Sequence, residues 1–380
     1  MTPQATLSTM SRTEPAATRR PVGRLMGMTQ SAFDPASRVR FVQFIPLFED
    51  AGWDVLHRPN KPDRQWRSRL PTRLARGMHY RSGRGVMKVR RLADIAASRG
   101  VDVVFVNRDL AGGRHFHERL LLRSNARVIF DFDDAIFSGS QRAEQRVRWM
   151  CEHAAWVTPG NAYLADWARR YNDHVTVIPT VVDTDRYESR QWSAADASRP
   201  VRIGWTGSDA SIAHTLFPYL ETIARAQREF DFEFVIVTNT PPSISTPGFR
   251  WTFHPWRAEE EGALGRLFDV CIMPLADNEF QRGKCGLKLL QGMAAGLPTI
   301  ASPVGVNSEI VQPGKTGFLA QTPDEWHEAL GTVARSPEIL PALGANGRDR
   351  CVREYSLQRW FPEMLSLVER VAAMPRHRGT

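Results

Sequence analysis

Residues 283–320 read GKCGLKLLQGMAAGLPTIASPVGVNSEIVQPGKTGFLA, and their pattern decides the fold. Leu287, Leu290 and the pair Met293-Ala294 recur at helical spacing and mark one apolar face. Gly296-Leu297-Pro298 stops that helix and leads into PTIAS, a strand buried on both faces. Gly283 and Gly286 sit at the helix start, with Lys284 and Lys288 beside them. The free N–H groups of a first helical turn, the helix dipole and two ammonium groups together make an anion site. The dipole supplies only about 0.3–1 kcal/mol at an exposed site. The lysines would therefore have to supply much of the attraction for a diphosphate.

Outward from this segment, strands and helices alternate. Upstream, Val201–Gly204, FEFVIVT and Val270–Met273 read as strands, with a helix from about His214 to Phe230. In the first half, Arg24–Met28, Trp53–Leu56, Val101–Val106, Val128–Phe132, Ala154–Thr158 and Val175–Ile178 are apolar runs of strand length. Val39–Ala51 has helical spacing, and NAYLADWARRY is an amphipathic helix capped by Asn161. The polar stretch ESRQWSAADASRP between the halves has no period and reads as a linker. Alternation on both sides of a linker predicts an α/β protein of two doubly wound parallel-sheet domains. Such sheets bind ligands at the carboxyl ends of their strands, so two of them facing each other leave a cleft.

Composition fits that plan. A chain of 380 residues exceeds one ordinary core and favours two domains. Lys and Arg exceed Asp and Glu by 50 − 41 = 9, a balance suited to phosphate-bearing ligands, nucleic acid or an anionic membrane surface. Four scattered cysteines indicate neither a zinc site nor a disulfide framework, and a reducing cytoplasm is the simplest setting. Residues 1–22 are polar and small, lack the apolar core of a secretory signal and read as a disordered leader. No window is apolar enough for a membrane-spanning helix.

Residues 283–320 resemble the donor-binding region of the family-four retaining glycosyltransferases, also called glycosyltransferase group 1, which have the two-domain GT-B fold. Gly286-Leu287, Met293-Ala294, Gly296, Pro298, Ala301-Ser302, Glu309-Ile310-Val311 and Gly314/Gly317 fall in register with the family's pattern. The resemblance extends more loosely from about residue 24 onward, including VTVIPTVVDTDRY and Tyr355-Ser356. It implies a GT-B architecture of two Rossmann-like domains: residues 23–188 on the acceptor side, a linker at 189–200, a nucleotide-sugar domain at 201–355, and a C-terminal helix at 356–380 crossing back to the first domain. It implies a nucleotide-diphosphate sugar as substrate, a glycan or lipid-linked acceptor, retention of configuration and no metal cofactor, in assembly of bacterial surface polysaccharide or glycolipid. Donor contacts fall to Gly207, Ser208, Lys284, Gly286, Leu287, Lys288, Gln291 and Glu309.

The sequence departs from the family at its two glutamates, which become Gly283 and Gln291. Gln291 keeps hydrogen-bonding capacity without charge. The usual diphosphate-clamping Arg and Lys are absent from the loop GWTGSDAS, residues 204–211, which leaves backbone and hydroxyl donors of Gly204, Gly207 and Ser208. Lys284 and Lys288 are the substitute clamp. The competing class is a GT-B-fold sugar-nucleotide or glycan-binding protein without catalysis.

RVIFDFDDAIF, residues 127–137, is the second dense signal. The strand and Asp131/Asp133 fit a haloacid-dehalogenase phosphatase, but Gly and Thr do not follow and no later acidic pair completes a magnesium site. A D-x-D metal pair of single-domain glycosyltransferases fits the spacing on three residues alone. The family-four resemblance instead puts Asp133 where a cleft histidine is usual and Asp134 at the following aspartate, making them the catalytic candidates. The alternative role is capping the next turn. Alternation turns Asp131 away from Asp133 and makes it structural. Arg108 and Arg114 are candidate counter-charges, and Arg38, Arg40 and Arg108 candidate cleft residues. His254 and Trp256-Arg257 lie where the family reads its base; a packed loop is the alternative. His115, His117 and Glu118 read as a solvated face. Residues 58–99 hold thirteen Arg/Lys against Asp63 and Asp94, interleaved with Trp66, Leu70, Leu74, Met78 and Tyr80. They are expected to be a basic insertion that touches an anionic membrane, with no nucleic-acid motif beside them. The expected location is the cytoplasm, with peripheral contact at the inner membrane face.

Overall fold

The computed structural model describes residues 21–61, 73–111, 115–193, 196 and 198–376, with the side chains of 73–84 outside that set. Most of the leader therefore lies outside the described residues, as do Asp63, Trp66, Leu70, Arg114 and the side chains of Leu74, Met78 and Tyr80.

The first half folds around a five-stranded parallel sheet in the order β2-β1-β3-β4-β5. Its strands are β1 (Gly23–Thr29), β2 (Trp53–Pro59), β3 (Val103–Asn107), β4 (Val128–Phe132) and β5 (Trp156–Pro159). Alternate side chains serve opposite faces. Val128, Phe130 and Phe132 enter one core with Val104 and Val106, while Ile129 enters the other with Leu25 and Phe105. Both faces are buried, which is why these strands read as unbroken apolar runs.

The second half carries a six-stranded parallel sheet in the order β11-β10-β9-β6-β7-β8. The strands are β6 (Val201–Thr206), β7 (Phe232–Thr238), β8 (Thr252–Pro255), β9 (Val270–Met273), β10 (Thr299–Ala301) and β11 (Gly317–Leu319). β8 and β11 lie at the sheet edges and, at four and three residues, are too short to stand out in sequence. The expected strand at Val175–Ile178 is instead a single bridge, Val157 to Val175. Two expected helices are broken by proline. Val39–Ala51 divides around Pro46, and 214–230 divides around Pro218.

The chain between the domains is ordered by charge. Asp269 receives Arg199, Arg190 and Arg202 at 2.6, 2.9 and 3.1 Å. The final helix, Leu357–Ala373, leaves the second domain and buries Met364, Leu367, Val368 and Val371 against the first-domain sheet. Val182 and Ser356 pair at the crossing. The carboxyl ends of the central strands of both sheets open on one cleft of about 1060 Å³.

Candidate active site at the interdomain cleft

On the first-domain side, the cleft begins where β4 ends. Asp131 points back under the sheet, as alternation requires. It is fully buried, takes Arg40 through both carboxylate oxygens at 2.6 and 3.2 Å, and accepts from Asn107 and Thr158. Asp133 and Asp134 lie beyond the strand and line the cleft. Arg108, at the end of neighbouring β3, reaches Asp133 at 2.8 Å and Asp134 at 2.6 Å. Arg108 is the one non-glycine residue with positive φ among those described, at 65°. Left-handed backbone at a non-glycine residue costs on the order of 1–3 kcal/mol and marks sites where geometry is imposed. Here it aims a guanidinium at two carboxylates. Burial by itself raises the Asp133 carboxyl, but Arg108, Arg40 and Lys284 outweigh it and hold Asp133 below the ordinary carboxylate value.

On the opposite wall, the helix Leu287–Ala294 starts from Gly286, whose φ of 70° is left-handed. A Cβ at Gly286 would lie 2.2 Å from the Ile310 side chain, so glycine is required twice over at this entry. Lys284 and Lys288 flank the helix start and line the cleft. Lys284 crosses the domain boundary to Asp134 at 3.4 Å. Lys288 lies over the Trp205 ring, 5.5 Å from its centroid. Burial, and then the neighbouring charge of Lys284, bring the Lys288 ammonium down to about 8. A second-domain lysine held this way is poised to gain from an incoming anion.

The glycine at position 283 has a steric cause. A Cβ on Gly283 would lie 2.5 Å from the Ala135 nitrogen, because the loop after β4 packs directly on it. The same contact buries Cys285 of the second domain within the first-domain core and lets Asn161 bond the carbonyls of Arg282 and Lys284. The space beside Gly283 is filled by the acidic loop of the opposite domain.

Gln291 lines the cleft, and its amide donates to Glu261 at 2.7 Å. Glu261 in turn takes Arg38 through both oxygens at 2.5 and 2.7 Å, and Arg38 lies 5.5 Å from the Trp256 ring centroid. Sequence reasoning missed Glu261. It sits in AEEEGA, a short 3-10 turn whose three consecutive acids do not say which one turns inward.

Other expected positions move. Arg40 is 1% exposed and bound to Asp131 behind the sheet, so it is no cleft residue. Gly207 lines the cleft as expected, with its N–H given to the Val237 carbonyl. Ser208 lines the cleft and makes no cap bond with its hydroxyl. Glu309 is exposed and does not line the cleft. His254 bonds Glu260 at 2.7 Å. His117 and Glu118, expected on a solvated face, are buried against the helix Arg73–Ala97, because that helix covers them. Among the described residues no group of three His, Cys, Asp or Glu side chains is arranged to hold a metal.

Opposed parallel sheets, a lysine-bearing glycine turn on one wall and acids on the other are a combination that can be compared with known proteins. Residues 202–336 match the family model of group 1 glycosyl transferases. The chain is 27% identical over 220 residues to the MMP alpha-(1->4)-mannosyltransferase of Mycolicibacterium hassiacum, covering 53% of this chain and 49% of that protein. It is 28% identical over 123 residues to the D-inositol 3-phosphate glycosyltransferase of Corynebacterium urealyticum, covering 32% and 28%. The chain thus spans about half or less of the curated relatives it matches. Among solved structures, sucrose-phosphate synthase of Thermosynechococcus elongatus superposes with a TM-score of 0.67 at 18% identity, over 92% of this chain and 99% of that one. The Anabaena protein HepE, in complex with UDP and glucose, superposes at 0.63 and 13% identity, over 92% and 100%. The fold is GT-B, with two Rossmann-like domains across a cleft.

Proposed function

We propose that this group 1 glycosyltransferase-like chain moves a sugar from a nucleotide-diphosphate donor to a glycan or glycolipid acceptor. Configuration is retained, and the product serves bacterial surface polysaccharide or glycolipid assembly in the cytoplasm. The single observation behind this reading is the meeting of Lys284 and Lys288 with Asp133 and Asp134 across one interdomain cleft. The lysines and the first-turn N–H groups of Leu287–Ala294 take the diphosphate and stabilise the charge that builds on it as the sugar leaves. Trp256 offers a face for the base, and Gln291 with Glu261 offers hydrogen-bond partners for sugar hydroxyls.

Asp133, in the place of the family's histidine, has a different chemistry. A carboxylate held below its ordinary pKa by three cations is a weak base. Its part is electrostatic: it orients the acceptor hydroxyl and faces the positive charge that develops on the transferred sugar. Closure of the two walls excludes water and limits donor hydrolysis.

Titration calorimetry with UDP, GDP, ADP and CMP tests the donor site. Lys284→Ala combined with Lys288→Ala is expected to weaken binding of the preferred nucleoside diphosphate by at least about a hundredfold, roughly 3 kcal/mol for two charge-assisted contacts. Unaltered binding in the double variant would remove the donor site. The missing glutamate at Gly283 favours a second reading, a sugar-nucleotide-binding protein without turnover. Tight donor binding with no nucleotide release in the presence of any acceptor would select it.

A further inference from the structure

The helices Arg73–Ala97 and Phe116–Ser124 pack on each other on the first domain, and their charges are sorted. From residue 85 onward, every carboxylate on the two helices faces inward. Asp94 is 8% exposed beside buried Arg91, and Glu118 is 2% exposed. The cations Lys88, Arg90, Arg119 and Arg123 face outward. Between them lie apolar side chains that no described residue covers. Val86, Val89, Leu92 and Phe116 are 65, 68, 37 and 57% exposed, half of the large hydrophobics that the described surface exposes.

These residues form one stripe. At about 100° per residue, Val86, Val89 and Leu92 fall within an arc of roughly 120°, with packed Arg91 about 160° and packed Ile95 about 120° from its centre. Lys88 flanks this arc on one side and Arg90 on the other. The His117 ring contacts the Lys88 carbonyl, which sets neighbouring Phe116 beside the stripe. Met87, about 160° around the helix from the centre of the stripe, lines the interdomain cleft, so the helix presents one face to the cleft and the stripe to the outside.

We infer that this two-helix face seats on an anionic lipid bilayer, with Val86, Val89, Leu92 and Phe116 entering the headgroup boundary and Lys88, Arg90, Arg119 and Arg123 meeting lipid phosphates. An apolar arc edged by cations and cleared of carboxylates is the composition of a helix lying in the membrane interface. A nucleic-acid surface would place cations, not valines, at the centre of contact. The docking uses no residue of the cleft and does not rest on the proposed sugar transfer.

The test is sedimentation of the full chain with vesicles, without any nucleotide. Vesicles of phosphatidylglycerol and phosphatidylcholine are expected to bind it, with binding falling as salt rises, and vesicles of phosphatidylcholine alone to bind it at least tenfold more weakly. Val86→Asp with Val89→Asp is expected to weaken binding at least tenfold. Lys88→Glu with Arg90→Glu is expected to weaken it more than about twenty-five-fold, at about fivefold per charge lost. All four side chains are exposed, so unchanged melting temperatures accompany both results. Equal binding to both vesicle types, unaltered binding of both variants, binding of RNA but not vesicles, or a dimer in light scattering that either variant dissolves would each overturn the proposal. Nucleotide calorimetry on the same variants separates this outcome from the donor site: failed docking with intact nucleotide binding leaves sugar transfer standing.

Discussion

Two arginine–aspartate clusters lie within a few residues of each other at the end of β4, and they do opposite things. Asp131 with Arg40 is closed. Both side chains are at most 1% exposed, and Asn107, Thr158 and the Ile178 carbonyl complete their bonding. Asp133 and Asp134 with Arg108 are open. One guanidinium serves two carboxylates, all three side chains keep 12–21% of their exposure, and Lys284 of the opposite domain joins at 3.4 Å. A buried pair with every lone pair used has nothing to offer a ligand. A pair with spare acceptors facing a cleft does. The difference comes from one step of strand alternation and from where β4 stops.

The largest expected effect breaks the closed cluster. Asp131→Ala leaves the Arg40 guanidinium buried without its partner, which costs about 3–5 kcal/mol. Urea unfolding is expected to show that loss, while any nucleotide affinity that survives in the folded fraction stays within about threefold of the parent. A small stability change together with lost nucleotide binding would reverse the assignment and make Asp131 the functional acid.

The open cluster is expected to respond the other way. Asp133→Asn is nearly isosteric and leaves Arg108 paired with Asp134, so it gives up only the stability carried by the depressed Asp133 carboxyl while removing the charge facing the transferred sugar. Turnover is expected to fall about a hundredfold, near 3 kcal/mol, with donor affinity changed less than about threefold, because the donor is held by the other wall. Arg108→Gly sharpens the contrast. Glycine accepts the φ of 65° without strain, so part of the lost ion pairing is offset in stability while turnover falls. Unchanged turnover in Asp133→Asn would reduce that residue to a turn cap.

How much of this was legible beforehand follows the same division. The strands of both sheets' centres were readable because burial on both faces forces continuous apolar runs, and β4 agrees residue for residue. Edge strands β8 and β11 were not, being only four and three residues long, whereas β2 and β5, at the edges of the other sheet, were readable from their apolar runs. In the site, Asp131 could be set apart from Asp133 by period alone, whereas Arg40 could not be set apart from Arg38. Two residues apart at a helix end, one turns under the sheet and the other crosses to Glu261, and only the packing decides which. Glu261 and the clash that makes Gly283 necessary are contacts between domains, far apart in sequence and without any local period.

The smallest expected effect concerns Lys288. Its ammonium is brought to about 8 by burial first and by Lys284 second. A bound diphosphate favours the charged form, so the complex holds a proton that the free protein begins to lose near pH 8. Donor affinity is therefore full below pH 8 and falls as pH rises through and above it, by about tenfold for each unit until the bound-state pKa is reached. Calorimetry between pH 7 and 9 is expected to show roughly a tenfold weakening, with net proton uptake in buffers of different ionisation enthalpy. Lys288→Met, which keeps much of the apolar contact on Trp205 but cannot titrate, is expected to bind more weakly at pH 7 and to flatten that dependence. A slope that persists in Lys288→Met would move the titrating group elsewhere in the cleft and leave Lys284 as the main cation at the helix start.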